Sequence, residues 1–199
     1  MLENMTPFDV VAFLFLMGMF VLGYIQGLTR RIFGIIALLF SLIVAAQLRD
    51  PLGSYLAQEW ANAPRQYSYM VAFGALFVAF GVTLSLGIQF AYRPAPLLPR
   101  YPVVDELLGG VLGVLEGFIL LMALLLVTDP YFLNEAGAQA AAGEFGFIRQ
   151  VHVFLNDSVL VDGLRHIAIP NILAVLGLLF PADVVQTFGA VIRGWARLA

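Results

Sequence analysis

The sequence predicts an all-α integral membrane protein: a four-helix transmembrane bundle followed by amphipathic or re-entrant C-terminal helices. Three observations predict it. Of 199 residues, 61% are hydrophobic and 12% charged, where a soluble domain has roughly 45–50% apolar and 25% charged residues. The charges leave long gaps, with none at 10–29, 32–48 or 66–92 and only Glu116 between Leu107 and Thr128. A spanning helix takes about 20 mostly apolar residues, and these runs are too long and unbroken for barrel strands.

The spans fall at about 8–28, 31–48, 68–92 and 105–128, making 1–128 the bundle and 129–199 an apolar extension. The first run has no basic residue before it and no small-residue cleavage site after it, so it reads as a span rather than a signal peptide. Arg30-Arg31 marks a tight turn, with Gly27 ending one helix and Thr29 placed to cap the next. Between spans two and three, Leu52, Tyr55, Leu56 and Trp60 have helical spacing in a short interfacial helix over 51–62. Pro94, Pro96, Pro99 and Pro102 make the next loop stiff and non-helical.

The short loops set an orientation. Arg30, Arg31, Arg93 and Arg100 lie on one side, Arg49 and Arg65 on the other, which places the first and third loops inside and both chain ends outside.

Past span four, Glu135 to Glu144 is an Ala/Gly-rich connector. Phe147 to Ile169 reads as two short helices interrupted by Asn156-Asp157-Ser158. Ile172 to Phe180 is about 13 Å of helix, too short to cross, and reads as a re-entrant or surface segment. From Asp183 onward Val184, Phe188, Val191, Trp195 and Leu198 fall within an arc of about 80°, an apolar face suited to a protein partner. A rival reading makes 169–192 a fifth, Pro-kinked span.

Chemistry-bearing patterns are few. There are no cysteines and no lysines, hence no thiol nucleophile or thiolate metal site. A net charge of −3 argues against nucleic acid as a partner. His152 and His166 lack metal-ligand spacing, and none of the serines has a nucleophile-elbow context. No cofactor, metal or catalytic residue is assigned, and membrane lipids are the one general partner.

The most specific pattern is Asp105-x3-Gly109-x3-Gly113-x3-Gly117. Glycines four apart drift only about 40° around a helix and form a smooth stripe on which another backbone can lie. Span one carries a shorter version, Gly23-x3-Gly27. Taken together, Asp9 near the start, Gly27-x-x-Arg30 at the first turn and the Asp105–glycine ladder resemble the colicin V production protein (CvpA) family in type, order and spacing over residues 5–155. Phe145-Gly146-Phe147-Ile148 is similar to that family's aromatic segment, and the last 45 or so residues lie outside the resemblance. The resemblance implies a small bacterial inner-membrane envelope protein of about four spans. Similar modules anchor a periplasmic serine protease, which points to a scaffold. An accessory subunit of a larger membrane complex is the alternative, and a small transporter or channel a third reading.

Glu116 departs from the family pattern and is the sharpest single residue. It lies roughly 16 Å into span four, on the ladder face. A charge facing lipid at that depth is costly, so Glu116 is expected to be a neutral acid bonded to a neighbouring helix. Gln26, Thr83 and Ser85 are the partners nearest in depth, and the arginines are counted as too distant. Asp9 is expected to cap span one. Arg30 and Arg31 are expected to mark topology and touch lipid phosphates.

Overall fold

The computed structural model describes residues 6–60, 64–91, 97, 98, 100–132, 150, 153–182 and 184–188. Every regular element among them is helical. The three long helices are α1 (Pro7–Glu59), α2 (Arg65–Ala91) and α3 (Pro102–Phe132). A C-terminal run follows, made of α4 (Val159–Gly163), a π-helical turn (Leu164–Ala168), α5 (Ile169–Leu176) and a 3-10 turn (Gly177–Leu179). The three long helices and the run Val159–Leu179 are each long and apolar enough to cross a membrane. The chain is a multi-pass, all-α membrane protein.

Helix α1 opens on a reciprocal cap: Asp9 N–H donates to Thr6 Oγ1 at 3.3 Å, and Thr6 N–H donates to Asp9 Oδ2 at 3.0 Å. Laid straight, its 53 residues would reach about 80 Å. The chain instead reverses at Gly27, whose φ of 75° and ψ of 172° belong to a region essentially reserved for glycine. The neighbours prove the reversal. Leu16 lies against Gly117 and Gly23 against Gly109, so the first arm runs antiparallel to α3. Gly27 lies against Gly109 and Gly34 against Glu116, so the second arm runs parallel to α3. Helix α2 runs antiparallel to the second arm, with Gly81 near Ser41 and Tyr69 against Gly53. The two arms, α2 and α3 therefore make an up-down-up-down bundle, and Pro7 and Phe132 share one end.

Several element boundaries differ from the sequence expectation. The second arm resumes helix straight after Gly27 rather than at 31, because Asp105 of α3 takes over the capping. It then continues through Pro51 to Glu59 as one helix, not as a separate interfacial piece. Pro51 forgoes one intrahelical bond, while Ser54 Oγ donates to the Pro51 carbonyl at 2.9 Å. Pro102 starts α3 instead of stiffening a loop, as suits a first helical position where no N–H is needed. Pro94, Pro96 and Pro99 lie outside the described residues.

Among the described residues Tyr131 and Phe132 form a small apolar cluster with Tyr67 and Met70, and the main core is a second, larger one. It joins Leu42, Ala45 and Phe73 to Leu125 and Leu126 of α3 and to Leu164, Ile169 and Leu173 of the C-terminal run. That run is a single helix from Val159 to Leu179. Ser158 caps it, accepting from Val161 N–H at 3.2 Å. The π-turn falls just before Pro170 and ends with Ile169 N–H donating to Leu164 O. A widened turn is how a helix absorbs a proline ring and its missing donor. Helix stops at Leu179, and Phe180 is extended, at φ −108° and ψ 152°, because Pro181 disfavours helical backbone before it. Within the stretch 169–192 helix is thus interrupted at Phe180 and Pro181, and residues 183 and 189–192 lie outside the described residues.

The run's attachments also lie at one end of the bundle. Ser158 binds Asp9, Arg165 binds Asp129, and Gln47 Nε2 donates to the Leu179 carbonyl at 2.7 Å. Asp9, Gln47 and Asp129 all lie at the end opposite the Gly27 turn. The helix thus lies across one half of the bundle although its length would suffice to cross. Beyond it, Val184 and Phe188 are buried in this chain's own core, which removes them from the partner face assigned from sequence. Val191 and Trp195 lie outside the described residues.

Candidate functional site

Among the described residues Asp9, Asp105, Glu116 and Asp129 take part in three polar fastenings between segments, and the glycine stripe joins two of them. Asp105 is buried in the first turn of α3. Its Oδ2 accepts from Leu28 N–H at 3.2 Å, and its Oδ1 from Leu98 N–H at 3.2 Å. The first bond caps the second arm of α1 where the reversal at Gly27 exposes a backbone donor. One carboxylate thereby stitches the hairpin turn and the loop before α3 together.

The stripe rises from there. A methyl group added at Gly109 would lie 2.5 Å from the Gly23 carbonyl oxygen, and one at Gly113 would lie 2.2 Å from the Met19 carbonyl oxygen. At Gly23 it would lie 2.2 Å from the Gly109 carbonyl oxygen. No real Cβ fits at such distances, so these helices touch through bare backbone. Gly117 meets side chains instead, Leu16 Cδ2 at 2.8 Å and Met19 Cγ at 3.2 Å.

Glu116 lies beside this stripe, and here the sequence expectation is overturned. Its carboxylate forms an ion pair with Arg31, whose side chain is 6% exposed against 16% for Glu116. Arg31 belongs to the second arm, four residues past the turn and on the arm that runs parallel to α3. A guanidinium's reach carries it from there to the depth of Glu116. Counting arginines from the membrane edge missed that reach. Arg31 is consequently not a lipid-facing topology marker, and its Nε has no hydrogen-bond partner among the described residues. Arg30 is half-buried beside it.

A cleft of about 280 Å³ opens around the pair, bounded by Gln26, Arg30, Arg31, Ser85 and Gln89. A second hollow of about 440 Å³ adjoins it between α1, α2 and α3, walled by Leu38, Phe77, Val82 and Leu120. Both include Gly34, Ser85, Gln89 and Glu116. Of the polar residues expected near Glu116, Gln26 and Ser85 are there. Thr83 instead donates to the Ala79 carbonyl at 2.7 Å.

The third fastening is at the far end. Besides its cap, Asp9 Oδ1 accepts from Ser158 Oγ at 2.5 Å and from Leu160 N–H at 3.2 Å. Asp129, fully buried, takes two bonds of 2.6 Å from Arg165 Nε and Nη2, and Arg165 Nη1 donates to Asn156 Oδ1 at 2.5 Å. Such paired geometry is the strong form of an arginine–carboxylate contact. Sequence reasoning missed Asp129, Arg165 and Ser158. The one available signal was an arginine within an apolar run matched by an acid at the end of a span. Arg49, also read as a loop charge, is buried with its guanidinium 5.4 Å from the Tyr69 ring centre.

His166 Nδ1 meets Asp162 at 2.9 Å on an exposed helix turn. His152 and the segment Phe145-Gly146-Phe147-Ile148 lie outside the described residues. Among those described, no cluster of His, Cys, Asp or Glu could hold a metal ion.

Compared with known proteins, residues 8–168 match the model of one family, described as colicin V production protein. No curated protein and no solved structure matches the chain.

Proposed function

The chain belongs to the colicin V production protein family, and from that premise we propose that it is a non-enzymatic scaffold of the bacterial inner membrane. The observation that carries this reading is the backbone-to-backbone seam of Gly23, Gly109 and Gly113. In lipid, apolar burial cannot drive helices together, so close contact and interhelical hydrogen bonds must do so. The charged groups serve the same end: Asp9, Asp105, Glu116 and Asp129 are each engaged in holding one segment to another. A closely packed bundle with these four acids so engaged supports a role in organising other components rather than transforming a substrate.

An accessory subunit is the second reading, favoured by α2. This helix is the least covered, with Phe90 88% and Val78 60% exposed. Purification of the full chain in mild detergent with mass analysis separates the two. The scaffold reading expects the chain alone or with copies of itself. A discrete partner at fixed stoichiometry replaces it with the subunit reading, and proton or ion flux in liposomes replaces both with a transporter.

A further inference from the structure

We propose that the cleft beside Arg31 and Glu116 binds one anionic phospholipid from the leaflet on the Gly27 side, its phosphate at Arg30 and one acyl chain in the groove between α1 and α2. The two adjoining hollows divide by chemistry as such a molecule does. The compartment nearer the turn is ringed by Gln26, Arg30 and Gln89. The adjoining one is walled by Leu38, Phe77, Val78, Val82 and Leu120. From Gln89 to Phe77 the groove follows α2 for about 18 Å, slightly more than half of a hydrocarbon core of about 30 Å. That is the depth of one leaflet.

The charge is also complementary. Arg31 cancels Glu116, which would otherwise repel a phosphate. Arg30 is left as an uncompensated cation with no ion pair among the described residues, on the rim of the polar compartment. A guanidinium beside side-chain amides is a donor set suited to a phosphodiester. A free anion would occupy only the polar compartment and leave the groove empty. A zwitterionic lipid would fill the groove without answering the net positive charge.

Native mass spectrometry of the full chain tests this, with dioleoyl phosphatidylglycerol, dioleoyl phosphatidylcholine or inorganic phosphate added at equal concentration. The parent is expected to retain one phosphatidylglycerol in preference to phosphatidylcholine. Arg30→Gln should cut that preference roughly fivefold, the effect of one basic residue at a lipid phosphate, and Arg30→Lys should keep it. Val78→Trp, which puts an indole into the groove, should lower retention of both lipids and spare the preference. Equal retention of the two lipids by the parent would overturn the proposal, as would an unchanged preference in Arg30→Gln. Phosphate displacing the bound lipid at equal concentration would overturn it too, in favour of a free-anion site.

Discussion

A guanidinium inside a membrane bundle needs an anion beside it, and for Arg31 that anion is Glu116. The substitution Glu116→Gln keeps shape and hydrogen bonding but leaves a buried cation without its counter-charge. Breaking a buried pair costs about 3–5 kcal/mol, and the open cleft favours the low end. We expect Glu116→Gln to lower thermal stability in detergent by about 3 kcal/mol, and Arg31→Gln added to it to restore most of the loss. A proton-handling role for Glu116 predicts instead a Gln variant that is stable and inactive, so stability and cellular phenotype measured side by side decide. Gly27 offers a second test at this scale. Alanine there must adopt a φ of 75°, and its Cβ would stand 2.7 Å from Asp105 Oδ2, the oxygen that caps Leu28. Gly27→Ala should therefore cost more than the roughly 1–3 kcal/mol of backbone strain alone, read as a fall in melting temperature.

Between elements, the seam of α1 and α3 predicts an order of sensitivity along one stripe. A methyl at Gly113 runs into the Met19 carbonyl, and backbone can yield only by parting the helices. Even Gly113→Ala should thus destabilise by about 1–3 kcal/mol, and Gly113→Leu by more. Gly117→Ala meets side chains that can turn aside, so it should cost less. A methyl added at Gly18 or Gly87 would have nothing within 4 Å, and alanine there should be neutral or slightly stabilising, since glycine weakens a helix interior by about 1 kcal/mol. Equal melting temperatures for the Gly113, Gly117 and Gly18 alanine variants would remove the seam from the account. The stripe was legible because a four-residue repeat shows its helix face without any partner being known. The turn was legible in Gly27, and the break before α4 in Asn156-Asp157-Ser158. The polar fastenings were not. Arg31 meets Glu116, and Arg165 meets Asp129, only after the chain has folded back on itself, and no local spacing encodes a pair 85 or 36 residues apart. The same fold-back places Ser158 on Asp9, so an acid legible as a helix cap also anchors the C-terminal run.

Across the whole molecule, the fold-back at Gly27 decides which groups share a side of the membrane, and the C-terminal run is where this matters most. Val159–Leu179 has the length and hydropathy of a span, yet Asp9, Asp129 and Gln47 hold it at one end of the bundle. Lying across that half, it returns Ala182 to the side of the α1–α2 connection, whereas a crossing helix would bring Ala182 out beside the α2–α3 connection. Burial refines the orientation argument too. Arg31 and Arg49 are withdrawn into the bundle, so that among the described connections Arg30 and Arg100 remain on the turn side against Arg65 on the other, and the positive-inside bias keeps its direction there. The chain has no cysteine of its own, so single cysteines can report on this without background. We expect Ser54→Cys and Ala182→Cys to react with an impermeant thiol reagent in intact spheroplasts, and Arg100→Cys to react only after permeabilisation. Reversal of all three would invert the orientation and leave the fold as described. Ala182→Cys reacting together with Arg100→Cys, and opposite to Ser54→Cys, would mean that Val159–Leu179 crosses the membrane after all.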